Sequence, residues 1–265
     1  VDGALSLVGM LCRSSERVAE AAAGTRALVA ELGDRHGVEG RLIGSPGAMV
    51  VQGWEADLAG SRGCLLEAGG QVDDALAAGD RPVLVLPDCS PSLTTLPAVV
   101  RHRPDATILW LDAHADFNTP ETTASGYLGG MCLAAACGLW DAGLGDDAPR
   151  VDPARVVMCG VRDLDGPEVV LLEAKGVTRI ARPGLLADAL AGGSVFVHLD
   201  LDVLDPGILP SPFPAPGGLS DGGLRTLLAE IAAACSIVGC EIAGFHDPAL
   251  TELVATVVDP LVATA

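Results

Sequence analysis

The chain has 265 residues, 49% of them hydrophobic, and a formal net charge of -19 at pH 7. That length and apolar content can bury a sizeable core, whereas the acidic balance is the wrong footprint for nucleic-acid binding. No run of about eighteen apolar residues marks a membrane span, and no basic region before an apolar core marks a secretory leader, so the expected location is cytoplasmic.

In chain order, Leu5–Met10 reads as a first strand, followed by an Ala-rich helix to about Leu32. Short apolar runs at Pro82–Leu86, Thr107–Leu111, Val156–Cys159, Val177–Ala181, Val195–Leu199 and Ile237–Ala243 read as buried strands. Leu58–Leu76, Leu128–Leu139, Asp221–Cys235 and Ala249–Val262 suit helices. Apolar strands alternating with helices predict an α/β fold, a three-layer α/β/α sandwich on a mostly parallel sheet. No linker or repeat divides the chain, so residues 1–265 read as one catalytic domain. The Pro- and Gly-rich stretch 205–218 is too long for a plain turn and reads as a functional loop. The eight cysteines contain no Cys-x-x-Cys pair and read as mostly buried free thiols.

Ligands of open parallel sheets bind beyond the carboxyl ends of the strands. Three predicted strands end there in polar clusters. Asp112, His114 and Asp116 alternate after Thr107–Leu111, and alternation in extended chain puts side chains on one side. Asp200 and Asp202 repeat the device after Val195–Leu199, and Cys89 and Ser90 follow Pro82–Leu86. Four acids on one rim need a cation, and carboxylates with an imidazole suit Mn, Mg or Zn, with Mn favoured. Five such ligands are better used by two ions about 3.5–4 Å apart than by one. A single Asp after a strand would be read as a cap or turn former; two alternating clusters are not.

These stretches resemble the arginase/agmatinase (ureohydrolase) family. The resemblance is carried by 112–126, Asp-Ala-His-Ala-Asp-Phe-Asn-Thr-Pro-Glu-Thr-Thr-Ala-Ser-Gly, and by 198–206, His-Leu-Asp-Leu-Asp-Val-Leu-Asp-Pro. Gly217–Ser220 and Val161–Asp165 fit further family segments. The resemblance implies an arginase-like sheet of about eight strands and two Mn(2+) ions. Asp112 and Asp200 would bridge the ions, Asp116 would complete one site, and His114 and Asp202 the other. It implies hydrolysis at a guanidino carbon, with Asp116 also orienting the attacking water. Asn118, Thr123 and Ser125 match positions that hold a substrate α-carboxylate and α-amino group, and Asp165 and Glu168 match positions near the amino group. Taken alone, the same hydroxyls and amide read as turn chemistry.

Three departures stand against the family pattern. Cys89 takes the place of a metal-ligating His, and is expected to ligate as a softer thiolate. Gly129 takes the place of a proton-shuttling His. The acid that meets the guanidinium aligns near Gly244, while Glu241 should face the other way in its strand. A retained amino-acid end with an altered guanidino end implies N-hydroxy-L-arginine, hydrolysed to L-ornithine and hydroxyurea, as in family members of antibiotic biosynthesis. An ordinary arginase and a degenerate metal-binding non-enzyme are the other readings. The expected partner is the small-molecule arginine derivative, with no nucleic acid or membrane, and homo-oligomerisation is left open. His198 is expected to pack or hydrogen-bond near the metals rather than ligate.

Overall fold

The structure is a computed structural model describing residues 3–145 and 148–263. Among the described residues, eight strands form one sheet: β1 (Leu5–Met10), β2 (Arg41–Ile43), β3 (Arg81–Leu86), β4 (Thr107–Leu111), β5 (Val156–Cys159), β6 (Thr178–Ile180), β7 (Ser194–Asp200) and β8 (Ser236–Ala243). Their spatial order is β2-β1-β3-β8-β7-β4-β5-β6, and every pairing is parallel. The helices are α1 (Ala21–His36), α2 (Trp54–Ala78), α3 (Ser92–His102), α4 (Cys132–Ala136), α5 (Gly166–Lys175), α6 (Leu186–Leu190), α7 (Asp221–Ala234) and α8 (Thr251–Val262).

The two-residue period of the strands sorts side chains into two cores. Leu84, Leu86, Ile108, Trp110 and Phe196 pack toward α2, α3 and α4. Val83, Val85, Leu109, Leu111 and Val197 pack toward α1, α7 and α8. Both faces are covered, which is why the strands read as continuous apolar runs.

Several sequence expectations need correction. The short edge strand β2 and the helices α3 and α5 were not expected. The helix expected over Leu128–Leu139 is a 3-10 turn, Gly129–Met131, followed by the five-residue α4. The cysteines are not all free: Cys12 and Cys64 form a disulfide, a pairing across 52 residues that no local motif announces. It fastens the loop after β1 to α2. Ion pairs from Arg13 and Arg17 to the buried Asp57 of α2 reinforce that attachment.

Candidate metal centre

The order of the central strands builds the site. β3, β8, β7 and β4 lie side by side, so the segments leaving their carboxyl ends meet on one rim. Cys89 follows β3, Gly244 follows β8, Asp200 ends β7, and Asp112, His114 and Asp116 follow β4. The expected cluster is therefore assembled. Cys89 Sγ lies 2.9 Å from Asp200 Oδ2 and 3.9 Å from Asp112 Oδ2. His114 Nδ1 lies 3.1 Å from Asp202 Oδ2 and 3.5 Å from Asp112 Oδ1. Asp112, His114 and Asp202 form one group of potential ligand atoms, and Cys89, Asp112 and His198 form another, so Asp112 is common to both.

Backbone donors hold these carboxylates in place. Asp112 Oδ1 accepts from His114 N–H at 2.7 Å, and Asp200 Oδ1 accepts from Asp202 N–H at 2.8 Å. Asp202 Oδ1 accepts from Ala113 N–H at 3.1 Å, which ties the β7 cluster to the β4 cluster. Asp116 has a left-handed backbone, φ 49°. Its carbonyl accepts from Leu133 and Ala134 N–H groups in α4, so this helix fixes the strained residue. Such a conformation costs about 1–3 kcal/mol in a non-Gly residue and persists when its surroundings enforce it.

The electrostatics favour a bound cation, which would neutralise acids that otherwise hold protons. Asp112, Asp116, Asp200 and Asp202 are all buried. Burial, followed by Asp202 and Asp116, pushes the Asp112 carboxyl well up. Burial also pushes Asp116 well up, against the opposing charge of His114. Burial and Asp202 push Asp200 up to about 6. Burial and then Asp200 push the Cys89 thiol up. Burial opposes charge on His114, yet hydrogen bonds to Asp112 and Asp202 carry it up to about 12. Among the described residues no salt bridge from Arg or Lys reaches these four acids. One imidazole cannot neutralise four carboxylates, so the donor set fits a pair of divalent ions.

Beside this cluster lies a cavity of about 320 Å³, lined by His114, Asp116, Asn118, Ser125, Tyr127 and Glu168, among others. Asn118 Nδ2 donates to Asp165 Oδ2 at 3.2 Å. Thr123 Oγ1 accepts from Gly126 N–H at 3.0 Å, and Ser125 Oγ accepts from Tyr127 N–H at 3.2 Å. Thr123 is not part of the cavity lining, so the local-turn reading describes its present role. Asp165 and Glu168 form the capping box of α5. Glu168 Oε1 also accepts from Phe117 N–H at 2.8 Å, so Glu168 braces the backbone next to Asp116.

Four contributors escaped the sequence reading. Asp88 accepts from Ser14, Ser15 and Ser90, joining the β1 and β3 loops beneath Cys89. Arg162 donates to the carbonyls of Gly160, Asp202, Val203, Leu204 and Ala215, which fixes the backbone of Asp202 and the end of the 205–218 loop. Phe213 of that loop packs on Tyr127, with ring centroids 4.7 Å apart, and edge-on to His114 at 6.4 Å. Tyr127 fills the space over Gly129, where an added Cβ would lie 2.5 Å from the phenol ring. Asp88 in the Pro-Asp-Cys-Ser stretch, Arg162 in Val161–Asp165 and Phe213 in the 205–218 loop all sat inside marked stretches, but nothing in the sequence singled out the side chain.

The Arginase family model matches residues 55–257. An N(omega)-hydroxy-L-arginine amidinohydrolase from Streptomyces lavendulae is 38% identical over 248 residues, covering 90% of this chain and 89% of the relative. An arginase from Bacillus caldovelox is 34% identical over 166 residues, 56% of each chain. The solved arginase from Bacillus caldovelox superposes with a TM-score of 0.85 at 24% identity, covering 99% of both chains. A proclavaminate amidino hydrolase from Streptomyces clavuligerus superposes with a TM-score of 0.72 at 22% identity, covering 98% of this chain and 90% of that one. At these identities the structural likenesses establish the fold.

Proposed function

The chain belongs to the arginase family, and we propose that it hydrolyses the guanidino group of N-hydroxy-L-arginine to L-ornithine and hydroxyurea, as a step of antibiotic biosynthesis. The observation that carries this reading is at Gly244. Its φ is 80°, and a Cβ placed there would fall 2.8 Å from Asp200 Oδ1. With glycine there, position 244 offers no anionic side chain to pair with a cationic guanidinium, and a larger residue would crowd Asp200. A hydroxyguanidine is less basic than a guanidine and depends less on that partner. The space over Gly129 is filled by Tyr127, a phenol that burial, then Asp88 and Cys89, push well above its ordinary pKa. The side chain over Gly129 is thus a phenol and not an imidazole. The relative of 38% identity that acts on N-hydroxyarginine supports the same substrate.

In this reading Cys89, Asp112, His114, Asp116, Asp200 and Asp202 hold two manganese ions. Those ions would supply the Lewis acidity that makes water nucleophilic near neutral pH. Asp116, fixed by α4, orients the water toward the substrate carbon. Asn118, Thr123 and Ser125 bind the α-carboxylate and α-amino group, and Asp165 and Glu168 shape the amino end. Thr123 must turn away from Gly126 to take part. Phe213 and Tyr127 wall the cavity and exclude bulk water. Hydroxyurea release from N-hydroxy-L-arginine, measured beside urea release from L-arginine, tests the reading; equal turnover or a preference for arginine would overturn it.

A further inference from the structure

Beneath the row of acids lies a second, buried polar row. Trp110 on β4 pairs in register with His198 on β7, and His198 with Glu241 on β8. Each stands two residues before Asp112, Asp200 and Ala243 respectively, so the three side chains lie one pleat below the rim, on the α3 side. His198 and Glu241 are completely buried. The imidazole stacks on the Trp110 indole with centroids 3.5 Å apart.

The hydrogen bonds of this row point one nitrogen toward the rim. Thr95 Oγ1 donates to Glu241 Oε2 at 2.6 Å, and Ser92 Oγ donates to Glu241 Oε1. His198 Nδ1 lies 2.7 Å from Glu241 Oε1. Ser92 Oγ lies 3.2 Å from the same Nδ1. An ionised Glu241 can only accept, so Nδ1 carries the proton, and in the neutral imidazole Nε2 presents its lone pair. That Nε2 is buried and has no hydrogen-bond partner. It lies 3.9 Å from Asp112 Oδ2, and ligand atoms of Cys89, Asp112 and His198 all lie within 4.8 Å of one another. Donors bound at about 2.0–2.3 Å to one ion stand roughly 3–4.5 Å apart. The lone pair thus faces the place where a cation shared by Cys89 and Asp112 would sit. An orphaned buried acceptor is unfavourable, and a bound cation would satisfy it.

We propose that His198 is a further ligand of the ion held by Cys89, with Glu241 as the residue that positions it. A carboxylate accepting from the distal N–H is the usual support of a metal-bound imidazole. The arrangement also accounts for Cys89. The imidazole absent from position 89, after β3, is supplied from below by β7, and the thiolate and imidazole then share one ion. The proposal deepens the metal-centre reading above and rests on it.

The test uses the full chain, stripped of metal and titrated anaerobically with cobalt(II). In the cobalt-loaded protein, N–H protons of bound imidazoles shift far outside the diamagnetic range and disappear in heavy water. Two such signals are expected in the wild type, from His114 and His198. His198→Gln should remove one signal and weaken one cobalt site by about 10–100-fold, and Glu241→Gln should weaken the same site. Thiolate-to-cobalt absorption from Cys89 should persist in both variants at saturating cobalt. A cobalt-saturated wild type with a single shifted signal overturns the role of His198 and leaves the metal centre standing. A wild type that binds no cobalt overturns the metal centre itself. The wild-type signal count decides the matter even if a variant fails to fold.

Discussion

Gly244 lies directly against Asp200: a β carbon on the glycine would stand 2.8 Å from the carboxylate Oδ1. The closeness would tie substrate choice to metal binding, because the glycine that stands where the proposed function finds no guanidinium-pairing acid also bounds a proposed bridging ligand. Gly244→Ala should therefore displace Asp200, in addition to straining a backbone at φ 80°. We predict a loss of metal affinity of roughly tenfold or more, read by equilibrium dialysis with metal analysis. Unchanged affinity together with gained arginine turnover would contradict this coupling.

Cys89→His should raise manganese occupancy, because a hard ion prefers imidazole to sulfur, and burial and Asp200 hold the proton on the Cys89 thiol. Metal analysis after dialysis against limiting manganese checks the prediction. Unchanged occupancy would mean that Cys89 is not a ligand.

Metal binding should release protons. Without metal, Asp200 is held up to about 6 by burial and Asp202, and Asp112 and Asp116 are pushed well up by burial. A cation favours the ionised forms, so affinity should fall as the pH drops through about 6. Calorimetry in two buffers of different ionisation heat would reveal the released protons. Heats independent of buffer would count against the prediction.

Glu16 gives a pH effect outside the ligand set. Burial, then the Asp88 carboxylate, raises its folded-state pKa from 4.5 to about 7. Between those values the folded chain holds a proton that the unfolded chain has released, so stability falls as pH rises through this window. Glu16→Gln should flatten that fall and stabilise the protein more at pH 8 than at pH 4.5, as measured by urea denaturation. An unchanged pH slope would contradict the assignment.

Arg162 holds five backbone carbonyls at the base of the site. Arg162→Ala should cost about 3 kcal/mol or more, since charge-assisted bonds to buried acceptors are worth roughly 1.5–3 kcal/mol each. The urea midpoint should fall, and manganese affinity with it through the loosened Asp202. A shift below about 0.5 kcal/mol, the usual range for surface substitutions, would show that the loop holds itself.

The residues at the strand ends were legible because their spacing carries geometry. The apolar runs before them had to be buried strands, but the extended alternation expected of the ligands is not what joins them: 112–114 bend, Asp116 is left-handed and Asp202 lies in a 3-10 turn, and these turns bring the side chains together. Glu241 was expected to face the other way from Gly244, and its side chain bonds His198, Ser92 and Thr95 one pleat below the rim. The pairings across the chain were not legible. Asp88 with Ser14, Arg162 with Ala215 and Cys12 with Cys64 depend on which strand ends become neighbours, which spacing along the chain does not encode. Helix α3 was obscured by Pro97 within it and α5 by its Gly-Pro start, although the Asp165/Glu168 capping box marks where α5 begins. His198 was expected to pack or hydrogen-bond. It does both, but nothing in the sequence told which nitrogen would be left facing Asp112.

The central claim is the substrate, and its most direct test is kcat/KM for N-hydroxy-L-arginine and L-arginine on the same manganese-loaded preparation, with hydroxyurea and urea quantified as products. With no acid at 244 and no imidazole at 129, we predict a preference for N-hydroxy-L-arginine of at least about 100-fold, the usual worth of a general acid. Equal values, or a preference for L-arginine, would contradict the account.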